Sequence, residues 1–342
     1  MRRRFWAVLV AALLVVTLVA AIYGNRHERP PVGAVLYLWY GGPNQDSGLG
    51  TPGWNSSTYP GGGTIVDQPT IGYYSSDDNE TFAWQVSQMQ KAGFSFAVIS
   101  WWGPSTLGES GAINKATHDF FAYLKSNGST FKAAIMIDAY NGTHGLSNPS
   151  LASDYDYIYN NFVTPFGKWY FDWPGPLLMT FNPVTPLDND SRFTSKEIGN
   201  YACEPIDTCA AHSLNQKLDW IFWDTPAQYF VGQGGSYNAT NDEGPPVISS
   251  DGEVTLVPRI DSYYDQGYQN GSFLRFDPSL SKGLYQEQWG YVLSHSSSVK
   301  LVIIYSWNEY HERTAIEPHI DFTANINSTY LSNLTSYYAS KL

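Results

Sequence analysis

The densest group of chemically capable side chains lies in residues 308–318, NEYHERTAIEP. Glu309, His311, Glu312, Arg313 and Glu317 all fall inside that stretch. Glu309 and Glu312 are three apart. Such a pair can supply one ionised carboxyl to take a proton and one protonated carboxyl to give one. Glycoside hydrolysis needs two carboxyls of this kind. An ion-pair network in a solvated loop would gather the same charges. The segment in front separates the two readings. Val302-Ile303-Ile304-Tyr305 is an apolar, largely β-branched run with the character of a buried strand. Ionisable groups packed directly behind such a strand, beside Trp307 and Tyr310, fit the mouth of a parallel barrel.

The elements that would position these groups follow the same logic. Strand-like runs occur at residues 33–40, 94–102, 131–138, 176–181, 218–224, 254–259 and 299–307. Helical stretches are expected at 78–93, 112–126, 152–163, 193–201, 284–295 and 325–342. Strands alternating with helices argue for a parallel sheet. No Gly-x-Gly-x-x-Gly turn follows the first strand, which disfavours a dinucleotide-binding fold. The expected architecture is therefore an α/β (β/α)8 barrel with seven or eight legible strands.

Polar or aromatic residues recur where these strands end: Tyr40, Trp101 and Trp102, Asp138, Asp224, Arg259 and Glu309. In a barrel those ends converge on one face. Tyr37, Tyr40, Trp101 and Trp102 are candidate platforms for sugar rings, although core packing would account for any one of them equally well. Asp138 and Asp224 are candidates for sugar-hydroxyl ligands, and Tyr310 and His311 for the lining of the site. Glu317 is expected to be structural. No metal or cofactor is required by this chemistry.

The chain of 342 residues is 43% hydrophobic and only 15% charged, with 25 Tyr, 12 Trp and 17 Phe and a formal net charge of −12. An acidic chain lacks the electrostatic footprint of a nucleic-acid binder. Aromatic richness suits a carbohydrate ligand, whose rings stack on flat apolar faces. Three arginines, Arg2 to Arg4, precede an uncharged run over residues 5–23. That run is long enough to cross most of a bilayer's ~30 Å core. It is expected to be a signal anchor over residues 1–23, followed by a stalk over 24–32 and a barrel over 33–342, with the barrel outside the cell. Cleavage after residue 21 would instead release a secreted protein. Nine Asn-x-Ser/Thr sites, at Asn55, Asn79, Asn127, Asn141, Asn189, Asn238, Asn270, Asn327 and Asn333, agree with export. The two cysteines, Cys203 and Cys209, could close a small disulfide loop.

Three of these motifs together resemble glycoside hydrolase family 99, the endo-α-mannosidases. Tyr37-Leu38-Trp39-Tyr40-Gly41 is similar to that family's first strand, and Ser100-Trp101-Trp102-Gly103 to its second. Residues 308–318 are similar to the run that follows its last strand, and the likeness covers residues 32–342. The resemblance implies endo-acting, retaining cleavage of an α-mannosidic or related bond in a glycan. It implies that Glu309 deprotonates the sugar 2-hydroxyl, whose oxygen attacks the anomeric carbon. It also implies that Glu312 protonates the leaving oxygen and later activates water. The chain departs from the family pattern at Tyr310, at Arg313, at Asn55-Ser56 after Trp54, and at Asp138. An arginine beside Glu312 would favour its ionised form. Two other readings fit the residues: a non-catalytic glycan-binding barrel, and a glycosidase of other specificity such as an α-glucanase.

Overall fold

The computed structural model describes residues 29–41, 54, 65–138, 151–181, 190–200, 219–223, 230–231, 246–261, 273–276, 284–322 and 326–342. The chain divides into Met1–Pro30 and Pro31–Leu342, and nearly all described residues belong to the second unit. The anchor, most of the stalk, Asp224 and both cysteines lie outside the described residues. Among the described residues no helix is long and apolar enough to cross a membrane.

Eight strands form one sheet: β1 (Val32–Tyr37), β2 (Phe96–Trp101), β3 (Lys132–Asp138), β4 (Leu177–Phe181), β5 (Thr194–Asn200), β6 (Trp220–Trp223), β7 (Glu253–Leu256) and β8 (Leu301–Ile304). Their order across the sheet is β6-β5-β4-β3-β2-β1-β8-β7, and every pairing is parallel. This is the cyclic order of a barrel. The sheet curls until its edges, β6 and β7, lie beside each other, with no ladder between them among the described residues.

The strands are apolar on both faces because both faces are covered. Alternation along each strand sorts the side chains into two cores. Val35, Tyr37, Phe96, Val98, Ala134, Met136, Leu177, Met179, Leu301, Ile303 and Tyr305 share the inner core. Ala34, Leu36, Ala97, Ile99, Ala133, Ile135, Ile137, Val302 and Ile304 belong to the outer core, with apolar side chains from the helices. Gly33 is needed for space. A Cβ there would come within 2.3 Å of the Phe96 ring, which is stacked on Phe171 with centroids 3.7 Å apart.

The helices are α1 (Asn79–Lys91), α2 (Gly108–Ser126), α3 (Leu151–Ile158), α4 (Leu284–Ser294) and α5 (Tyr330–Ala339); α3 runs on into a π turn, Tyr159–Val163. Asp78 caps α1 by accepting a hydrogen bond from the Glu80 amide, and Gly93, at φ 92°, follows its end. Thr194–Asn200, within the stretch 193–201 expected as a helix, is instead strand β5. It lacks the apolar stripe of an amphipathic helix, and ladders to β4 and β6 on either side decide its conformation.

Candidate active site

The segment after β8 folds back on itself through its own hydroxyls. The Glu309 amide donates to Ser306 Oγ at 2.8 Å, Ser306 Oγ and Thr314 Oγ1 share a hydrogen bond at 2.7 Å, and the Thr314 amide donates to the Glu309 carbonyl at 3.1 Å. Asn308 ties this turn to β1. Its Oδ1 accepts from the Tyr37 amide at 2.8 Å and its Nδ2 donates to the Tyr37 carbonyl at 2.9 Å. Two adjacent strand ends therefore hold one loop in one position.

That loop brings the carboxyls together at the C-terminal mouth of the sheet. Glu309 is buried, and its Oε1 accepts from the His311 amide at 2.7 Å and from the Glu312 amide at 3.4 Å. His311 Nδ1 is 3.2 Å from the same oxygen. Glu312 keeps some solvent contact, and its Oε2 accepts from the Tyr305 hydroxyl at 3.0 Å. Tyr305 in turn accepts from the Tyr37 hydroxyl at 3.1 Å. From the neighbouring strands come Asp138, whose Oδ2 accepts from Ser100 Oγ at 2.9 Å, and half-buried Trp102, whose Nε1 donates to the same Ser100 Oγ at 3.1 Å. Trp39 completes the wall, with ring centroids 4.3 Å from Tyr37, 5.6 Å from Trp102 and 5.7 Å from His311.

Burial pushes both carboxyls up to about 8. Two backbone amides oppose that rise at Glu309. At Glu312 the negative charge of Glu309 adds to it, with a smaller push from Asp138, while Tyr305 opposes. Amide donors stabilise an anion, and a neighbouring anion favours a proton. The amides therefore favour the anion at Glu309, and the charge of Glu309 favours a proton on Glu312.

Several residues singled out from the sequence lie elsewhere. Trp101 belongs to the outer core: it is wholly buried, donates to Asn114 Oδ1 at 2.9 Å and stacks on Tyr157. Strand alternation requires this, because Ser100 and Trp102 face the opposite way. Tyr40 is stacked on Trp54 at 4.1 Å and braces the loop, its hydroxyl donating to the Asn308 carbonyl and accepting from the Tyr310 amide. Tyr310 is fully buried and donates to Glu317 Oε2 at 2.8 Å. Neither Trp101, Tyr40 nor Tyr310 offers a face to a sugar. Tyr37 reaches the site through its hydroxyl, not as a platform. Glu317 is a buried acceptor for Tyr74, Tyr310 and Gln85.

Arg313 turns away from Glu312. At φ 55° its side chain enters a wholly buried cluster, where it donates to Asp67 and Asp321. Arg259 joins the same cluster through Asp67 at 2.7 Å and His319 Nε2 at 2.6 Å. Because His319 Nε2 accepts from a guanidinium, its proton sits on Nδ1, which donates to the Glu317 carbonyl. Burial, then Arg259, holds this imidazole down to about 4, so it is neutral. The paired guanidiniums and carboxylates lock residue 313, and with it the end of the turn that carries Glu309 and Glu312.

Tyr305, Trp39 and Ser100 were not singled out from the sequence. Alternation could have found Trp39, two residues after Tyr37 on the same face. Among the described residues no group of three or more His, Cys, Asp and Glu gathers as metal ligands.

No family model matches the chain. A solved structure of the GH99 endo-alpha-mannosidase from Bacteroides thetaiotaomicron superposes with a TM-score of 0.59 and 18% identity, over 90% of this chain and 96% of that one. The same enzyme in complex with BIS-TRIS-propane gives 0.58, and a glycoside hydrolase-like protein gives 0.53 at 15% identity. The chain shares their fold. A curated glycoprotein endo-alpha-1,2-mannosidase-like protein of Danio rerio is 26% identical, the match covering 39% of each chain. This chain thus matches about two fifths of the length of that relative. The expected resemblance holds at the level of the whole sheet, and the three motifs that suggested it all fall at its C-terminal rim.

Proposed function

We propose that this chain is a retaining endo-α-mannosidase-type glycoside hydrolase acting on mannose-containing glycans, built on a (β/α)8 barrel. One observation carries the reading. Glu309 and Glu312 stand together at the mouth of a parallel sheet, one carboxyl held by amides and the other by a tyrosine hydroxyl, near half-buried Trp102. The fold shared with GH99 structures supports the sugar specificity.

In the proposed route Glu309, ionised, takes the proton of the sugar 2-hydroxyl. That oxygen attacks the anomeric carbon as the glycosidic bond breaks, and Glu312 gives its proton to the leaving oxygen. The product is an epoxide-like 1,2-anhydro sugar. In the second step Glu312, now ionised, takes a proton from water. The water oxygen attacks the anomeric carbon, the anomeric C–O2 bond opens, and Glu309 returns the proton to O2. Two displacements at one carbon retain its configuration. Asp138 and Trp102 would hold the sugar; their position beside the carboxyls supports this.

Arg313 and Tyr310 would argue for a non-catalytic barrel if they crowded the acid, but both side chains point away from it. The test is a panel of α-mannans and α-glucans read by product size. Internal cleavage of the mannans supports the proposal. Cleavage of the glucans alone replaces it with a different specificity, and binding without product replaces it with a lectin.

We propose further that the protein is exported and held at the cell surface by residues 1–23. The exposed acceptor positions Asn79, Asn127, Asn327 and Asn333 support export. Resistance of the chain to protease outside intact cells, together with absence of N-linked sugar, would contradict it.

A further inference from the structure

Tyr305 is the residue at the rim of the inner core that does most with one polar atom. It follows β8, in line with Leu301 and Ile303 on the inward face. Its hydroxyl accepts from Tyr37 at 3.1 Å and donates to Glu312 Oε2 at 3.0 Å, and both rings are buried. The two tyrosines meet edge to face, their centroids 6.4 Å apart. A phenol has a single proton to donate. Here Tyr37 fills the acceptor side of Tyr305, so the Tyr305 proton is directed at Glu312. Burial keeps both phenols neutral by raising them well above their ordinary range, so each remains a donor where the carboxyls titrate.

The consequence concerns which oxygen of Glu312 works. An oxygen that already accepts a hydrogen bond from Tyr305 is the poorer place for the carboxyl's own proton. We propose that Tyr305 is a positioning residue for Glu312: relayed from Tyr37, it occupies Oε2 and assigns proton transfer to Oε1. The inference rests on Glu312 being the acid/base of the proposed reaction. It adds a residue that touches no substrate and acts only through that carboxyl. The groups facing Glu312 are Glu309 from its own turn, Asp138 from the end of β3, Tyr305 from the end of β8 and, behind it, Tyr37 from β1.

The sign of the effect follows. Tyr305 donates to the ionised carboxylate and therefore favours it. Tyr305→Phe should raise the titration midpoint of Glu312 by about one pH unit, the size of one charge-assisted hydrogen bond. Tyr37→Phe should move it the same way by less. The first measurement is an NMR titration of protein carrying 13C-labelled glutamate carboxyls, with Glu312→Gln assigning the signal. The second is the pH dependence of turnover. The alkaline limb, set by Glu312, should move up with its midpoint, while the acidic limb, set by Glu309, stays. Turnover number should fall about tenfold with KM nearly unchanged, because no substrate contact is lost.

A Glu312 midpoint that does not move in Tyr305→Phe overturns the inference. If wild-type protein cleaves α-mannosides but the variant keeps its alkaline limb and its turnover, the inference fails while the proposed function stands. If the midpoint moves but no α-mannoside is cleaved, the tyrosine relay stands and the assigned reaction fails. A thermal midpoint of Tyr305→Phe within a few degrees of wild type shows that the variant has kept its fold.

Discussion

At the scale of single residues, the proposed reaction depends on two like side chains behaving differently. Glu309 and Glu312 are both held up to about 8 by burial, so near neutrality they share protons instead of both ionising. In the proposed reaction the active form carries one proton. Below the optimum Glu309 takes up a second proton and loses its role as base; above it Glu312 gives up the only one. The profile of kcat/KM against pH is therefore expected to be bell-shaped. Its centre should lie well above the ~4.3 at which free glutamates titrate. A profile centred at pH 4 to 5 would show that the pair is solvated and unperturbed. Much of this site was legible in the sequence, because two carboxyls at short spacing behind an apolar strand are a local signal. Asp138 and Trp102 were legible as strand-end residues. That Trp101, Tyr40 and Tyr310 are buried was not legible, since aromatic identity says nothing about which way a ring faces. For Trp101 the alternation of Phe96, Val98 and Ser100 against Ala97 and Ile99 held the answer. Tyr305 was not legible, since its partner is chosen by how the following turn folds back.

At the scale of elements, the turn that carries Glu309 and Glu312 is fixed at one end by ions and along its side by β1. Asp67 accepts from both Arg259 and Arg313 inside a cluster with no solvent contact, and their charges hold its carboxyl well below the usual range. Asp67→Asn would leave two buried guanidiniums facing one carboxylate. Removing one partner of such a network costs about 3–5 kcal/mol. Chemical denaturation should report a loss of that order, and a change below about 1 kcal/mol would mean that water relieves the cluster. The floor of the barrel offers a second test. Gly33→Ala drives a methyl group into a Phe96 ring that Phe171 prevents from moving away. Overpacking of this kind costs about 1–3 kcal/mol, and a thermal midpoint equal to wild type would show that the ring yields. Neither feature could be read from sequence. Asp67 and Arg313 are 246 positions apart, and only the completed sheet brings them together. The misread β5 shows the same limit: its polar composition carries no strand signal, and its conformation comes from its neighbours.

At the scale of the whole molecule, the same burial that equips the site sets how stability depends on pH. Glu253, Glu309, Glu312 and Glu317 are all raised to about 8 by burial. Each contributes stability that is fully present below the unfolded value of ~4.3 and is lost as pH rises through about 8. His319 acts in the opposite direction. Held at about 4 in the fold against ~6.5 unfolded, it favours folding above pH 6.5 and less so as pH falls. Four carboxyls outweigh one imidazole, so the thermal midpoint should fall between pH 5 and pH 8, as calorimetry can show; a midpoint that climbs across that window would mean the carboxyls are ionised in the fold. The architecture was the most legible level of all. Seven strand runs and the alternation with helices were apparent because a sheet covered on both faces forces long apolar segments. Which residues pair in each ladder was not, because register is a property of contacts between distant strands.

In the proposed function Glu309 and Glu312 together break a glycosidic bond. The most direct measurement is product release from α-mannan by wild-type protein and by Glu309→Gln and Glu312→Gln, each checked for an unchanged fold by circular dichroism. Wild type should release oligosaccharides of retained anomeric configuration, and each variant should lose at least about a hundredfold in turnover. A variant that turns over at the wild-type rate, or a wild type that releases nothing, would contradict the assignment.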